Sequence, residues 1–202
     1  MPIILISLLS AMQFMIYINS PVFIEGETRS DIQDKASQAI KFCEQNNMNE
    51  EFCILVDMNI HSGKKRLFIY DFKENKVKLS YLVSHGCGEN PWTSDQSKTN
   101  PMFSNVPNSH CSSLGKYEIG ARGWSNYGVH VKYLLHGLDS SNSNALERAI
   151  VFHSWEIVED EETYPKGTPE GWGCPAVSNN AFRKIDELLQ SSGKPTLMWI
   201  YN

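Results

Sequence analysis

The 202-residue chain is short of charge: 20% of its residues are charged, with 18 Lys and Arg against 23 Asp and Glu, a formal net charge of −5. Its lysines and arginines are scattered and build no basic face, which argues against nucleic acid as a partner, because binding phosphates needs one. Internal repeats and low-complexity tracts are missing, which excludes solenoids and arrays. There is no tight Cys-x-x-Cys or His-x-x-x-His pair. That weakens a zinc site built from His85, Cys87, Cys111, His136, His153 and Cys174, and no metal or cofactor is expected. The chain has 41% hydrophobic residues, too many for a disordered chain, and its length suits one compact domain with a short appendage. Five cysteines is an odd number, so at least one thiol stays free if the others pair.

Pro2 to Ile18 carries no charge, and the first charged residue is Glu25. Residues 1–20 read as a signal peptide or membrane anchor, with a buried helix of the domain as the remaining reading. The first two readings export the protein to the periplasm or cell envelope, where disulfides persist; membrane contact is expected through this segment alone, and only if it stays uncleaved. Residues 21–30 read as a linker, and residues 31–202 as the folded domain.

Ile32, Ala36, Ala39, Ile40 and Cys43 fall on one stripe of an amphipathic helix over Ser30 to Gln45, with Thr28 and Asp31 spaced like a capping box. Short runs rich in β-branched and aromatic residues follow: Phe52–Ile60, Arg66–Asp71, Lys76–Ser84, Lys116–Ala121, Val129–Leu135, Ala149–Ser154 and Thr196–Tyr201. Their short connections imply antiparallel pairing. Ser178 caps a helix over Asn179 to Gln190. Gly88 to Ser113 is a long polar loop, which inside a compact domain is functional or disordered. The order predicts a mainly β domain with peripheral helices.

Chemistry concentrates between Ala149 and Ser178. A nucleophilic thiol needs an imidazole to draw off its proton and gains from amides that favour the thiolate. Cys174 has His153 for the first and the helix after Ser178 for the second. Gly171 and Gly173 let the backbone approach a substrate closely. Taken alone the pair is a weak signal, since a single Cys is more often a small buried hydrophobe and a strand-end His a structural residue.

The wider pattern is more specific. His153, seventeen intervening residues, then Gly171-Trp172-Gly173-Cys174 resembles the signature of the YkuD-type L,D-transpeptidases of bacterial cell walls. The chain most resembles the murein L,D-transpeptidase catalytic domain family, through Lys65–Asp71, Val83–Gly86, Phe103–Asn105, Ser112–Gly115, Leu135–Leu138, Arg148–His153 and Gly173–Ala176. The resemblance runs from about Asp31 to the C-terminus. It implies a YkuD-like β-sandwich with flanking α-helices, and cysteine acyl transfer on peptidoglycan stem peptides. The thiolate attacks the third residue of a tetrapeptide stem, D-alanine leaves, and an amine or water takes the acyl group from the thioester. On this resemblance Cys174 is the nucleophile, His153 the base, and Ser154 holds the imidazole through its carbonyl. The Gly173 and Cys174 amides would form the oxyanion hole, and His136, His85, Trp172 and Gly171 would line the substrate. Two departures stand out: Gly171 occupies the position of a Ser or Thr, and Trp172 that of a common His.

Three questions stay open at this level. Cys87 with Cys111, and Cys43 with Cys53, could form bridges. The acidic run Glu156 and Glu159–Glu162 is a solvated face or a guide for an acceptor amine. A wall-binding module without chemistry and a sortase-like enzyme compete with the acyltransferase, the latter needing an arginine after the thiol, for which only Arg183 is present. Nothing in the sequence gives the oligomeric state.

Overall fold

A computed structural model describes residues 25–202, so the segment read as signal peptide or anchor lies outside the described residues. Helix α1 (Glu25–Gln45) begins at Glu25, so Glu25–Ser30, expected as linker, is helical, and Thr28 and Asp31 lie inside α1 rather than at its cap. Eight strands follow: β1 (Phe52–Asp57), β2 (Leu67–Asp71), β3 (Lys76–Tyr81), β4 (Gly115–Trp124), β5 (Val131–Gly137), β6 (Val151–Ser154), β7 (Ala176–Val177) and β8 (Thr196–Tyr201). Helix α2 (Asn179–Ser191) precedes β8, and Ser178 caps it by accepting the Ala181 N–H.

The strands form one sheet in the order β3-β2-β1-β8-β4-β5-β6-β7. Most neighbours are antiparallel, but β1/β8 and β6/β7 are parallel. Both parallel pairs join segments far apart in sequence, where connection length carries no information. The chain beyond β3 turns back onto β7: the Ser84 N–H donates to the Ala176 carbonyl at 2.8 Å, and Gly86 bridges Gly171. The sheet thereby curls into a nearly closed barrel, a mainly β fold with flanking helices. Joining its two ends also satisfies edge amides that would otherwise invite pairing with another chain.

All six residues of β1 are buried, because the strand has apolar cover on both faces. Cys53 and Leu55 pack with Ile32, Ala36, Ala39 and Cys43 of α1, while Ile54 and Val56 face the main core with Phe152, Phe182 and Ile185. The stripe read from sequence is therefore the buried face of α1, Ile40 being only partly buried. All five cysteines are free thiols, so neither bridge is present.

Two charged side chains, the buried Glu170 and the half-buried Arg148, order the long polar loop between Gly88 and Ser113. Glu170 accepts from Ser94 Oγ at 2.6 Å, Ser97 N at 2.7 Å and Ser97 Oγ at 3.0 Å. Arg148 donates to the Ser104 carbonyl at 2.8 Å, the Cys111 carbonyl at 2.6 Å and the Ser113 hydroxyl. The loop has little apolar surface to bury, so these bonds take the place of a core.

Candidate active site

β6 and the segment entering β7 run parallel, His153 beside Ala176, which sets Cys174 beside Val151, two residues before His153 on β6. The Val151 N–H points at Cys174 Sγ at 3.4 Å, and the thiol lies 3.8 Å from the Ala149 carbonyl. Ala149 has φ of +53°, and this left-handed turn aims its carbonyl at the thiol. The amide serving Cys174 thus comes from β6 and not from α2, whose cap Ser178 is occupied by Ala181 and the Asp160 carboxylate. Cys174 itself is half-buried against the core.

Burial raises the Cys174 thiol above its ordinary value of 9.0, opposed by the Val151 amide and by the charges of Arg148 and Lys132. Burial also lowers the His153 imidazole below 6.5, opposed by the Ser154 hydrogen bond and by Glu156. At pH 7 the resting thiol and the resting imidazole are therefore both neutral. His153 Nδ1 lies 2.8 Å from the Ser154 carbonyl, an acceptor, so Nδ1 carries the proton and Nε2 keeps its lone pair. Tyr127 lies against the ring, centroids 5.3 Å apart, and the Ser154 hydroxyl holds the neighbouring loop through Val129 N at 2.9 Å. One prediction follows for the thiol: alkylation of Cys174 by iodoacetamide, followed by intact mass, should speed up about tenfold per pH unit between pH 7 and 8, since only the thiolate reacts. A rate flat over that interval would mean a preformed thiolate.

The corner before the thiol is set by close packing. Gly173 has φ of +98°, and a Cβ there would sit 2.4 Å from the Cys111 carbonyl oxygen, so only glycine fits. Among the described residues no acceptor within the chain engages the Gly173 or Cys174 N–H. Gly171 is buried in the bridge to Gly86, its N–H donating to the His85 carbonyl at 2.8 Å and its carbonyl accepting from Cys87 at 2.7 Å. A Cβ at Gly171 would meet Trp155 at an ordinary 3.6 Å, so the missing hydroxyl at this position is not a steric demand.

The remaining sequence candidates separate. Trp172, two residues before the thiol in sequence, is 60% exposed. His136 is partly buried on β5, on the same face as Lys132, which pairs with His153; its ring packs over Gly120, where a Cβ would come within 2.3 Å of Nε2. Gly120 lies at a bulge in β4 that makes room for it. His85 has no exposed surface and cannot line a substrate. Arg66 Nη2 donates to its Nδ1 at 2.7 Å, so Nε2 carries the proton, toward Ser97 Oγ at 2.9 Å and Glu170 Oε1 at 3.6 Å. Burial and the Arg66 charge hold this imidazole down to about 3, so it is neutral at pH 7. Arg183 is exposed on α2 and bonds Asn180. Among the described residues no three His, Cys, Asp or Glu side chains converge as metal ligands.

The acidic run is partly engaged within the fold. Asp160 takes Ser178 Oγ and Asn180 Nδ2, Glu162 the Lys65 N–H, and Glu156 the Gly128 N–H. Sequence reasoning missed the Val151 amide, the buried Arg66 and Glu170, and the half-buried Arg148. A half-buried thiol, a base with a free lone pair and two unengaged amides are the groups that acyl transfer through a covalent intermediate requires.

The sequence model of the L,D-transpeptidase catalytic domain family matches residues 25–201. Among solved structures, the chain is similar to Bd1075 of Bdellovibrio bacteriovorus, at 15% identity over 77% of this chain and 49% of that one, with a TM-score of 0.44. It is also similar to the helical cell shape determining protein Pgp2 of Campylobacter jejuni, at 14% identity over 75% and 47%, with a TM-score of 0.47. An L,D-transpeptidase from Xylanimonas cellulosilytica matches at 12% identity over 74% and 60%, with a TM-score of 0.40. The chain spans about half the length of the first two. No curated protein matches the chain.

Proposed function

The chain belongs to the L,D-transpeptidase catalytic domain family, and from that premise we propose that it is a cysteine acyltransferase acting on the tetrapeptide stems of peptidoglycan in the cell envelope. Cys174 is the nucleophile. As its sulfur attacks the carbonyl of the third stem residue, the proton passes to His153 Nε2, and the amides of Gly173 and Cys174 receive the charge growing on the carbonyl oxygen. Collapse of the tetrahedral species breaks the bond to D-alanine; the proton held by His153 goes to the departing amine, and a thioester remains. An acceptor amine then regenerates the thiol and leaves a cross-link, whereas water gives L,D-carboxypeptidase activity. Trp172 and His136 are assigned to the substrate side, His85 to positioning of the backbone that carries Gly171.

The observation that carries this reading is the contact of His153 Nδ1 with the Ser154 carbonyl. With Nδ1–H committed to the Ser154 carbonyl at 2.8 Å, the nitrogen left over is a base. Its lowered pKa keeps it unprotonated at pH 7, and the neutral Cys174 thiol retains the proton to be moved. Incubation with a disaccharide-tetrapeptide, followed by mass spectrometry, tests the reading. Wild type should release D-alanine, and Cys174→Ala should release none. Release that survives Cys174→Ala, or no release by folded wild type, overturns it; sacculus binding without turnover would favour a wall-binding module.

A further inference from the structure

The site is edged by a string of aromatic rings that the proposed chemistry does not use. His110 stacks on Trp172 at 5.1 Å between centroids, Trp172 meets Trp92 at 6.2 Å, and Trp92 stacks on Trp155 at 5.4 Å. Trp155 meets Tyr127 at 6.3 Å, and Tyr127 meets His153 at 5.3 Å. Trp155 and His153 are buried, yet Trp92 is 48% exposed, Tyr127 42% and Trp172 60%. Three large aromatics left facing water along one line form an exposed apolar patch of the kind that marks a binding surface. Backbone strain holds it at two points. Thr93, next to Trp92, has φ of +68° with its N–H tied to the Glu170 carbonyl at 2.9 Å, and His110 has φ of +55°. A β-branched residue in the left-handed region is strained and persists only where its surroundings impose it.

The string ends at a cavity of about 540 Å³, a volume suited to a small-molecule site. His110 belongs to both, and Asn90, two residues before Trp92, lines the cavity with Glu89, Asn108 and Phe103. Flat indole faces beside amide and carboxylate groups suit a pyranose, which has an apolar C–H face and a rim of hydroxyl and acetamido groups needing both donors and acceptors. An extended peptide would instead seek a free sheet edge, and here the segment beyond β3 already pairs with β7.

We propose that the string and the cavity form a saccharide subsite, which takes an N-acetylhexosamine unit of the glycan strand that carries the stem. This rests on the acyl-transfer reading for its substrate, but its test does not depend on turnover. The probe is the tetramer of N-acetylglucosamine, uncharged and free of peptide, titrated into the full chain while tryptophan fluorescence and calorimetric heat are followed. Saturable binding is expected, weakened about tenfold or more in Trp92→Ala and in Trp172→Ala, with Trp92→Phe close to wild type because a ring face remains. Melting curves check that each variant folds. If Trp92→Ala does not fold, Trp172→Ala carries the test, its ring lying mostly in solvent.

No saturable binding, or alanine variants that bind as wild type does, overturns the subsite. D-alanine release measured alongside separates the two ideas. Release without tetramer binding removes the subsite and leaves the acyltransferase, whereas ring-dependent tetramer binding without release does the reverse.

Discussion

Glu170→Ala should lower the free energy of unfolding by about 3–5 kcal/mol, the cost typical of breaking a buried charged network by deleting one partner. Urea unfolding followed by circular dichroism measures it. Glu170 has no exposed surface and accepts from Ser94, from the amide and hydroxyl of Ser97, and from Asn90, while facing His85. Without the carboxylate, the Ser97 N–H is left with no acceptor, and the Arg66 charge loses a counter-charge inside the fold. Burial already pushes that guanidinium down to about 9, opposed by Asp57 and Glu170. Glu170→Gln keeps the shape and an acceptor oxygen, so its cost should be smaller. Because Glu170 precedes Gly171 directly, both variants should also slow D-alanine release. A loss below about 1 kcal/mol in Glu170→Ala would mean that the network does not hold the fold.

His153→Gln should reduce kcat/KM for D-alanine release by about 10²–10⁴-fold, the contribution expected of one general base. The pH profile of wild type adds an independent reading. A base must be neutral to accept a proton, and burial sets His153 below 6.5, so activity should hold down to that lowered value and fall as pH drops through it. In His153→Gln the acid limb should disappear. A variant with near-wild-type turnover, or a wild-type limb above pH 7, would assign the proton transfer elsewhere.

How much of this was legible in the sequence differs from element to element. Alternating and helical apolar patterns marked seven of the eight strands and both helices, because those patterns report which faces are buried. β7 was hidden: two residues, Ala176 and Val177, gain strand geometry only by pairing with β6. The parallel β1/β8 contact was equally invisible, since it joins opposite ends of the domain. At the site, Cys174 and His153 were named from motif spacing, and the backbone puts His153 on β6 and Cys174 in the segment that enters the neighbouring β7. His85 shows the limit of such reasoning. Its neighbourhood in sequence suggested a cleft residue, but the partners that bury it, Arg66, Ser97 and Glu170, come from three distant segments. Which aromatic rings join into one string is legible only in three dimensions, because Trp92, Tyr127, Trp155 and Trp172 are far apart along the chain.

The five cysteines allow the central claim to be read directly. All are free thiols; four are buried, and Cys174 alone is half-buried. The decisive measurement is the intact mass of the full chain, with peptide mapping, during incubation with disaccharide-tetrapeptide. The account predicts a transient adduct equal to the substrate minus D-alanine, located on Cys174 and absent in Cys174→Ala. An adduct on another cysteine, or D-alanine release with no adduct even under rapid acid quench, would contradict it.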